Sequence, residues 1–289
     1  MKLISGIKEI SSNYSHFIFD VWGVIHDGTN AYPKAVEAIR FLRKQGKKIC
    51  FLSNAPRRAS KVADVLKKFG ITPDLYDFIL TSGEATFLNL QKNQHENFKK
   101  FGQKYFYIGP QKDIDLLNGL NYQQAEEAAV ADFVINTGFE DENSQLAEKL
   151  PQMLEAKKFN LPMICVNPDL IVVKQNGVEM ICAGALAAEY QRHGGEVFYF
   201  GKPFLAVYKM VCEIFGEANK AKFLAIGDGL ETDIRGANDF GIDSILISGG
   251  ILANQLEIKF WQDPDMEKLT KICHQHQAIP QFVTSNLKL

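Results

Sequence analysis

The stretch FDVWGVIHDG, Phe19 to Gly28, decides what fold to expect for this chain. The apolar run HFIFDVW has Asp20 near its end, and turn residues then lead to a second aspartate, Asp27. A short apolar run bounded by turn residues is typical of a strand buried in a parallel sheet. An aspartate at the end of such a strand is well placed to be a nucleophile. Trp22 follows it by two residues.

Strand and helix patterns alternate after this first strand. YPKAVEAIRFLRKQGK predicts a helix, because Ala35, Ile39 and Leu42 share a face and Gly46 follows as a C-terminal cap. The strand KICFLSN, the helix RASKVADVLKKFG and the strand DFILTSG come next. This βαβαβ order predicts a parallel sheet with right-handed crossovers.

The same alternation resumes late in the chain. EVFYFGKP, AKFLAIGDG and DSILISGG are predicted strands of the first domain, and FLAVYKMVCEIFG and TDIRGANDFG are the helices between them. The roughly 100 residues between the two halves differ in texture, and Asn176-Gly177 between apolar flanks indicates a hairpin there. We therefore predict an α/β fold with a Rossmann-like, doubly wound, mainly parallel core at residues 1–84 and 194–289. A smaller α/β cap domain is inserted at 85–193.

Composition restricts the class of protein. The 289 residues are 46% hydrophobic and 23% charged, with a net charge of −2 and no basic run, which disfavours nucleic acid as the main partner. No run approaches the ~18 apolar residues of a membrane helix, and the first residues do not resemble a signal peptide. The cysteine number is odd and four of the five lie in apolar stretches, which indicates buried thiols and a cytoplasmic location.

Four predicted strand ends carry polar side chains that suit phosphoryl transfer. They are Asp20, then Ser53-Asn54, then Lys202, then Asp228 with Asp233 just beyond it. Ligands of a parallel sheet bind outside the carboxyl ends of the strands. A carboxylate can attack phosphorus, Lys202 supplies positive charge, and carboxylates are suitable ligands for Mg²⁺. Ser53 and nearby backbone amides can donate to phosphate oxygens.

Each of these residues taken alone also has an ordinary structural explanation. A strand-end aspartate is usually a turn or cap residue, Ser53 or Asn54 can cap the next helix, and a lone lysine is usually a solvated surface residue. GDGLETD can be a glycine turn with a capped helix. The joint placement of these types at four strand ends favours the catalytic interpretation.

The four motifs FDVWGVIHDG, FLSN, GKP and GDGLETD resemble those of the haloacid dehalogenase superfamily of phosphohydrolases. The resemblance implies Asp20 as nucleophile, Ser53 as the phosphate-binding hydroxyl and Lys202 as the group that stabilises the intermediate. It implies that Asp228 and Asp233 position Mg²⁺, with Asp233 in the second shell or acting through water, and that Asp20 and the backbone carbonyl of Trp22 complete the metal site. Asn54, Trp22 and Gly23 are expected around the phosphate.

The inserted segment is similar to the larger cap type of this superfamily. TSGEAT at 81–86, VNPDLIV at 166–172 and GALAAEY at 184–190 look like the branch of sugar and nitrophenyl phosphatases with an α/β cap, class IIA. Asn167, Pro168 and Asp169 are therefore candidates for substrate contact. An Asn-Pro turn ahead of a strand explains the same tripeptide equally well.

Trp22 departs from the phosphatase pattern, in which a second aspartate at this position acts as general acid and base. Indole does neither. His26 or Asp27 could carry the proton instead, although both also suit a tight turn at Gly28. The haloacid dehalogenases proper carry an aromatic residue at this position, which leaves a hydrolytic dehalogenase as one alternative, and a non-catalytic phosphate-binding relative is another.

The sequence thus predicts a Mg²⁺-dependent phosphatase for a small phosphate monoester, such as a sugar phosphate, acting through an aspartyl-phosphate. The partner is a small molecule, without nucleic acid or membrane, and a homodimer is left open. His274 and His276 form an H-x-H pair near the end of the chain, and a surface position explains it better than a metal site does.

Overall fold

The computed structural model describes residues 1–92, 101–141, 143–173, 178–259 and 261–289. Its larger sheet has seven strands, all parallel, in the spatial order β1-β14-β13-β12-β2-β3-β4. Numbered along the chain, the strands are β1 Lys2–Leu3, β2 His16–Phe19, β3 Lys48–Ser53, β4 Phe78–Thr81, β12 Phe223–Gly227, β13 Asp243–Ile247 and β14 Phe282–Thr284. The α/β class and the parallel core are confirmed.

Helices cover both faces of this sheet. They are α1 Pro33–Lys44, α2 Ala59–Lys68, α3 Ser82–Lys92, α6 Leu205–Phe215, α7 Arg235–Phe240, α8 Ala253–Leu256 and α9 Met266–Gln275. Alternate residues of β2 enter different cores: Phe17 and Phe19 pack on the side of α1, whereas Ile18 packs on the side of α6. The sheet is therefore buried on both faces, as a doubly wound arrangement requires.

The first helix shows how local sequence fixes an element. Pro33 occupies the first turn of α1, where its missing N–H is harmless. Ala35, Ile39 and Leu42 are buried along one face, and Gly46 lies at φ 71° just after the C-terminus. The left-handed conformation of Gly46 ends the helix and turns the chain into β3.

A second sheet of five parallel strands has the order β11-β8-β7-β5-β6. Its strands are β5 Lys104–Ile108, β6 Gln123–Ala125, β7 Phe133–Asn136, β8 Met163–Cys165 and β11 Val197–Tyr199, and it packs with α4 Leu146–Lys158 and α5 Ala183–Arg192. The strands β9 Ile171–Val173 and β10 Glu179–Ile181 pair antiparallel. This pairing fits the predicted hairpin, whose turn residues Asn176 and Gly177 lie outside the described residues.

One strand assignment from sequence is wrong. The alternating pattern predicts that EVFYFGKP lies in the core sheet, but β11 pairs with β8 of the smaller sheet. A short apolar run does not specify its partner, because pairing is decided by the tertiary contacts available to it. The proposed core boundary at 194 thus precedes a strand of the smaller sheet, and the boundary at 84 falls inside α3. The domain division at 84/85 and 193/194 stays a proposal. In the structure, the chain passes from the larger sheet to the smaller one after α3, and it returns to the larger sheet after β11.

Two further observations concern the expected environment. Cys50, Cys165, Cys182 and Cys273 are buried, Cys212 is half-buried, and all five are free thiols. Within the described ranges, no helix combines the length and apolar character needed to cross a bilayer.

Candidate active site

Three predicted site residues meet at one edge of the larger sheet because their strands are neighbours. β12, β2 and β3 lie side by side, all parallel. Asp228 follows β12, Asp20 follows β2, and Ser53 ends β3. Lys202 approaches the same point from the loop after β11 of the smaller sheet. The carboxyl ends of the strands thus bring together residues that are far apart in sequence.

The Lys202 ammonium joins two of the carboxylates. Its Nζ donates to Asp20 Oδ1 at 2.5 Å and to Asp233 Oδ1 at 2.7 Å. Lys202 is 3% exposed, so both are buried, charge-assisted hydrogen bonds. Asp233 Oδ2 also accepts from the backbone N–H of Gly229 at 3.2 Å. This pairing fixes the cation beside the proposed nucleophile.

Negative charge exceeds positive charge among these groups. Burial and the neighbouring carboxylates of Asp20 and Asp233 raise the pKa of Asp228 well above its usual value. Burial raises the pKa of Asp20 to about 7, against the opposing effect of Lys202. Burial would lower the pKa of Lys202, but Asp20 and Asp233 together hold it above its usual value. Three buried carboxylates facing one ammonium favour the entry of a further cation.

The same carboxylates suit a hard divalent cation. One oxygen from each of Asp20, Asp228 and Asp233 can be chosen so that all lie within 4.8 Å of one another, and all three residues are buried. Oxygen donors at this spacing are what Mg²⁺ or Ca²⁺ takes in proteins. The residues present therefore fit a metal ion bound at this point.

The backbone of Gly23 lies close to the Asp228 carboxylate, which explains why this predicted site residue is a glycine. A Cβ on Gly23, which has φ +79°, would lie 2.1 Å from Asp228 Oδ2, and one on Gly250 would lie 2.6 Å from the same oxygen. The backbone N–H of Ile251 donates to that oxygen at 3.3 Å. Gly23 thus lies against a carboxylate, where a side chain would displace it.

The Asn54 side chain connects the loop after β3 and the loop at residues 167–169 to Lys202. Its Nδ2 donates to Asp169 Oδ1 at 2.7 Å and to the Lys202 carbonyl at 3.0 Å, and its Oδ1 accepts from the Lys202 N–H at 2.8 Å. Asn167 Oδ1 accepts from the Asp169 N–H at 3.0 Å, which forms the turn predicted for the Asn-Pro-Asp segment. Burial raises the pKa of Asp169 to about 6, opposed by Lys202. Ser53 Oγ accepts from the Ala55 N–H at 3.2 Å.

The segment after the proposed nucleophile is a packed turn. The Trp22 indole lies so close to Gly28 that a Cβ there would be 2.4 Å from the ring, and it meets the His26 ring edge-on at 5.7 Å. His26 Nδ1 accepts from the Gly28 N–H at 2.8 Å, and Asp27 Oδ1 accepts from the backbone of Thr29 and Asn30. These hydrogen bonds stabilise the turn at Gly28, so they agree with the structural explanation of His26 and Asp27.

A cavity of about 1090 Å³ contains the predicted site residues. All of them except Gly23 line it: Asp20, Trp22, Ser53, Asn54, Asn167, Asp169, Lys202, Asp228 and Asp233. Its walls come from both sheets, so a bound molecule would be enclosed by the core and the inserted segment together. Sequence reasoning missed several charged residues of the lining, among them Arg57 and Asp113. The paired arginines directly after FLSNAP were a signal for Arg57, whereas no local pattern marks Asp113.

The H-x-H pair has ordinary surroundings. His274 is exposed, and His276 Nδ1 lies 3.1 Å from Glu231 Oε1. Across the ranges described, one group of acidic, histidine or cysteine residues is arranged so that it could hold a metal ion. It consists of Asp20, Asp228 and Asp233. The surface interpretation of this pair is the better one.

Comparison with known proteins adds independent evidence. Residues 17–123 match the model of the haloacid dehalogenase-like hydrolase family, and residues 199–271 match a HAD-hydrolase-like model. The sugar-phosphatase AraL of Bacillus subtilis is 29% identical over 238 residues, 81% of this chain and 82% of that one. A solved hydrolase of the haloacid dehalogenase-like family from Brucella suis is 30% identical, covers 99% of this chain and 100% of its own, and superposes with a TM-score of 0.81. The p-nitrophenyl phosphatase of Archaeoglobus fulgidus shares the fold at a TM-score of 0.73, with 22% identity, 95% of this chain and 97% of its own.

Proposed function

Because this chain belongs to the haloacid dehalogenase-like hydrolase family and is a phosphatase, we propose that it hydrolyses a small phosphate monoester through an aspartyl-phosphate, with Mg²⁺ as cofactor. The observation that carries this proposal is the buried Lys202 ammonium, bonded to both Asp20 and Asp233 beside Asp228. A phosphoryl group bound there would meet a carboxylate nucleophile and positive charge at the same point.

The chemistry divides into two displacements. An Asp20 carboxylate oxygen attacks phosphorus, and the ester P–O bond breaks with departure of the alcohol oxygen. Water then attacks phosphorus of the aspartyl-phosphate and the bond between phosphorus and the Asp20 oxygen breaks, which releases phosphate and restores the carboxylate; the proton that this water loses balances the one that the departing alkoxide takes up from solvent. Lys202 stabilises the charge on the phosphoryl oxygens throughout, because it is held at hydrogen-bonding distance from Asp20. Ser53 and the backbone near Trp22 and Gly23 bind the other phosphate oxygens.

Asp20, Asp228 and the backbone carbonyl of Trp22 would hold the Mg²⁺. Asp233 would lie outside these direct ligands or act on the ion through water. When bound, the ion would neutralise the excess negative charge of the carboxylates and of the phosphoryl group. Its charge would also favour the ionised form of Asp20, whose pKa burial raises to about 7 without it.

The inserted segment is proposed to select the substrate and to exclude water. Asn167 and Asp169 line the cavity from that segment, and Asp169 is bonded to Asn54 of the core. A sugar phosphate or similar ester is the proposed substrate, which the named relative AraL supports. A cytoplasmic location and a homodimer stay predictions.

The test is a screen of phosphate esters on the purified protein with and without Mg²⁺. The panel should span sugar phosphates, nucleotides, phosphoglycolate and nitrophenyl phosphate, with chloroacetate as a dehalogenase control. Release of phosphate that depends on Mg²⁺ is expected. Chloride release without metal, or no turnover of any ester, would overturn the proposal.

A further inference from the structure

A second polar pair lines the same cavity. Arg57 lies in the loop after β3, and Asp113 lies in a 3-10 turn, Gln111–Leu117, after β5. Arg57 Nε is 3.5 Å from Asp113 Oδ1, and both atoms are buried. Neither has a hydrogen-bond partner in the part of the chain that the structure describes. Asp113 is only 2% exposed, so its Oδ1 faces the Arg57 charge in an ion pair at 3.5 Å but accepts no hydrogen bond.

The backbone of Arg57 is held in place from the larger domain. Thr81 Oγ1 donates to the Arg57 carbonyl at 2.5 Å, and a Cβ on Gly83 would lie 2.6 Å from the Arg57 backbone. The neighbouring Arg58 is bound at 2.8 and 3.1 Å by the two oxygens of Glu84. The adjacent arginines therefore differ in use: Arg58 fixes the loop, and Arg57 faces the cavity.

Asp113 is held over Arg57 by contacts between the two domains. Its N–H donates to the Pro110 carbonyl at 3.1 Å. Lys61, on α2 of the larger domain, donates to Asp115 Oδ1 at 2.5 Å and to the Lys112 carbonyl at 3.0 Å. The turn that carries Asp113 is thus tied to the helix that follows Arg57, and the pair is set by both loops.

The chemistry of the pair indicates which ligand group it would take. A buried carboxylate oxygen without a donor is costly, and burial raises the pKa of Asp113 although Arg57 opposes this. A hydroxyl group can donate to Asp113 and accept from Arg57, so a diol would satisfy both. A carboxylate would gain no net charge attraction from this ion pair, because Asp113 offsets Arg57, and an apolar group would leave both atoms without a hydrogen bond.

We propose that Arg57 and Asp113 form a subsite for hydroxyl groups of the leaving alcohol, so that the preferred substrates are phosphate esters of polyols. Esters of hydroxy acids and simple phenyl esters are poorer substrates on this basis. The inference rests on the proposed phosphatase function, and it adds to that function the class of alcohol.

The test compares kcat/KM for glycerol 3-phosphate, phosphoglycolate and nitrophenyl phosphate. Wild type should favour glycerol 3-phosphate over phosphoglycolate. Asp113→Leu, which keeps a similar volume and removes the acceptor, should lower the ratio of glycerol 3-phosphate to nitrophenyl phosphate by about 10–100-fold. Asp113→Asn should give a smaller loss in the same direction, and it covers the case in which Asp113→Leu does not fold. The matched control is Glu126→Gln, at an exposed carboxylate of the same inserted segment, which should keep the ratio within about twofold.

An unchanged ratio in both Asp113 variants, or a wild-type preference for phosphoglycolate, would overturn the subsite. Binding separates this failure from failure of the phosphatase proposal. Glycerol 3-phosphate should bind Asp20→Asn protein about tenfold or more tightly than it binds the Asp20→Asn, Asp113→Leu double variant, measured by calorimetry. If wild type cleaves no ester, the proposed function fails; the subsite then stands with this affinity difference and falls without it.

Discussion

The Asn54 side-chain amide donates to Asp169 Oδ1 at 2.7 Å and so joins the loop after β3 to the loop after β8. The same amide accepts from the Lys202 N–H and donates to its carbonyl, at 2.8 and 3.0 Å. One side chain therefore sets the position of Asp169 relative to the lysine beside Asp20. A change in this bond should affect how substrate fits before it affects the chemical groups themselves.

Substitution of Asp169 tests that consequence. Asp169→Ala should change the ranking of good substrates while nitrophenyl phosphate, a small activated ester, is still cleaved. Asp169→Asn is the matched variant, because its amide oxygen can still accept from Asn54 and should preserve more of the wild-type ranking. Steady-state kcat/KM across the ester panel measures both. An equal large loss on every ester in Asp169→Ala would instead assign the residue to catalysis or to structure.

Asp20→Asn should abolish turnover and leave the fold intact. The amide is nearly isosteric with the carboxylate but is a far poorer nucleophile, and it weakens a metal site. Phosphate release and the circular dichroism spectrum measure the two halves of this prediction. Near-normal hydrolysis by the folded variant would exclude an aspartyl-phosphate.

Removal of the metal, or of Asp228, should cost several orders of magnitude in rate. A phosphoryl transition state spreads negative charge over its oxygens, and Lys202 alone leaves that charge under-neutralised. Activity with excess chelator, then with Mg²⁺ restored, is the measurement, and Asp228→Ala should resist the restoration. Full activity in excess chelator would contradict the prediction.

Trp22 should make the rate depend steeply on the leaving group. Proton transfer by a positioned side chain contributes about 10²–10⁴-fold to the rate. This contribution matters most when the leaving group is a strongly basic alkoxide. Trp22→Asp should therefore raise the rate on sugar phosphates more than on nitrophenyl phosphate. Trp22→Leu is the control, because it loses the indole without gaining an acid and should give no such gain.

His26→Ala distinguishes the alternative source of the proton. Since His26 Nδ1 accepts from the Gly28 N–H, we expect the leaving-group dependence of this variant to match that of wild type. A shallow dependence in wild type that becomes steep in His26→Ala would show that His26 supplies the proton.

His26 should also make stability depend on pH. Burial lowers the pKa of His26 from 6.5 to about 4. Between these values the unfolded chain binds a proton that the folded chain does not, so stability falls as the pH falls from 6.5 towards 4. The loss at pH 4 is about 2–3 kcal/mol. Urea unfolding at pH 7 and pH 4.5 should show a smaller difference in His26→Gln than in wild type. His274→Gln, at an exposed histidine, should behave as wild type does.

The sequence by itself determined most of the strands and helices around the candidate site. Apolar runs that end in Asp20, Ser53 or Asp228 could be recognised because a buried strand is apolar along its length and its end is polar. The helical face of Ala35, Ile39 and Leu42 and the cap at Gly46 were equally local. Strands β1 and β14 were missed, since two or three residues are too few to show a period.

Tertiary structure alone decided which elements meet. β11 pairs in the smaller sheet, so Lys202 reaches Asp20 from a different sheet than the sequence predicted. The Asn54–Asp169 bond spans 115 positions, and Arg57 in the loop after β3 faces Asp113 in the turn after β5. Such contacts depend on how separate elements pack, and a residue carries no local trace of a partner that arrives from another part of the chain.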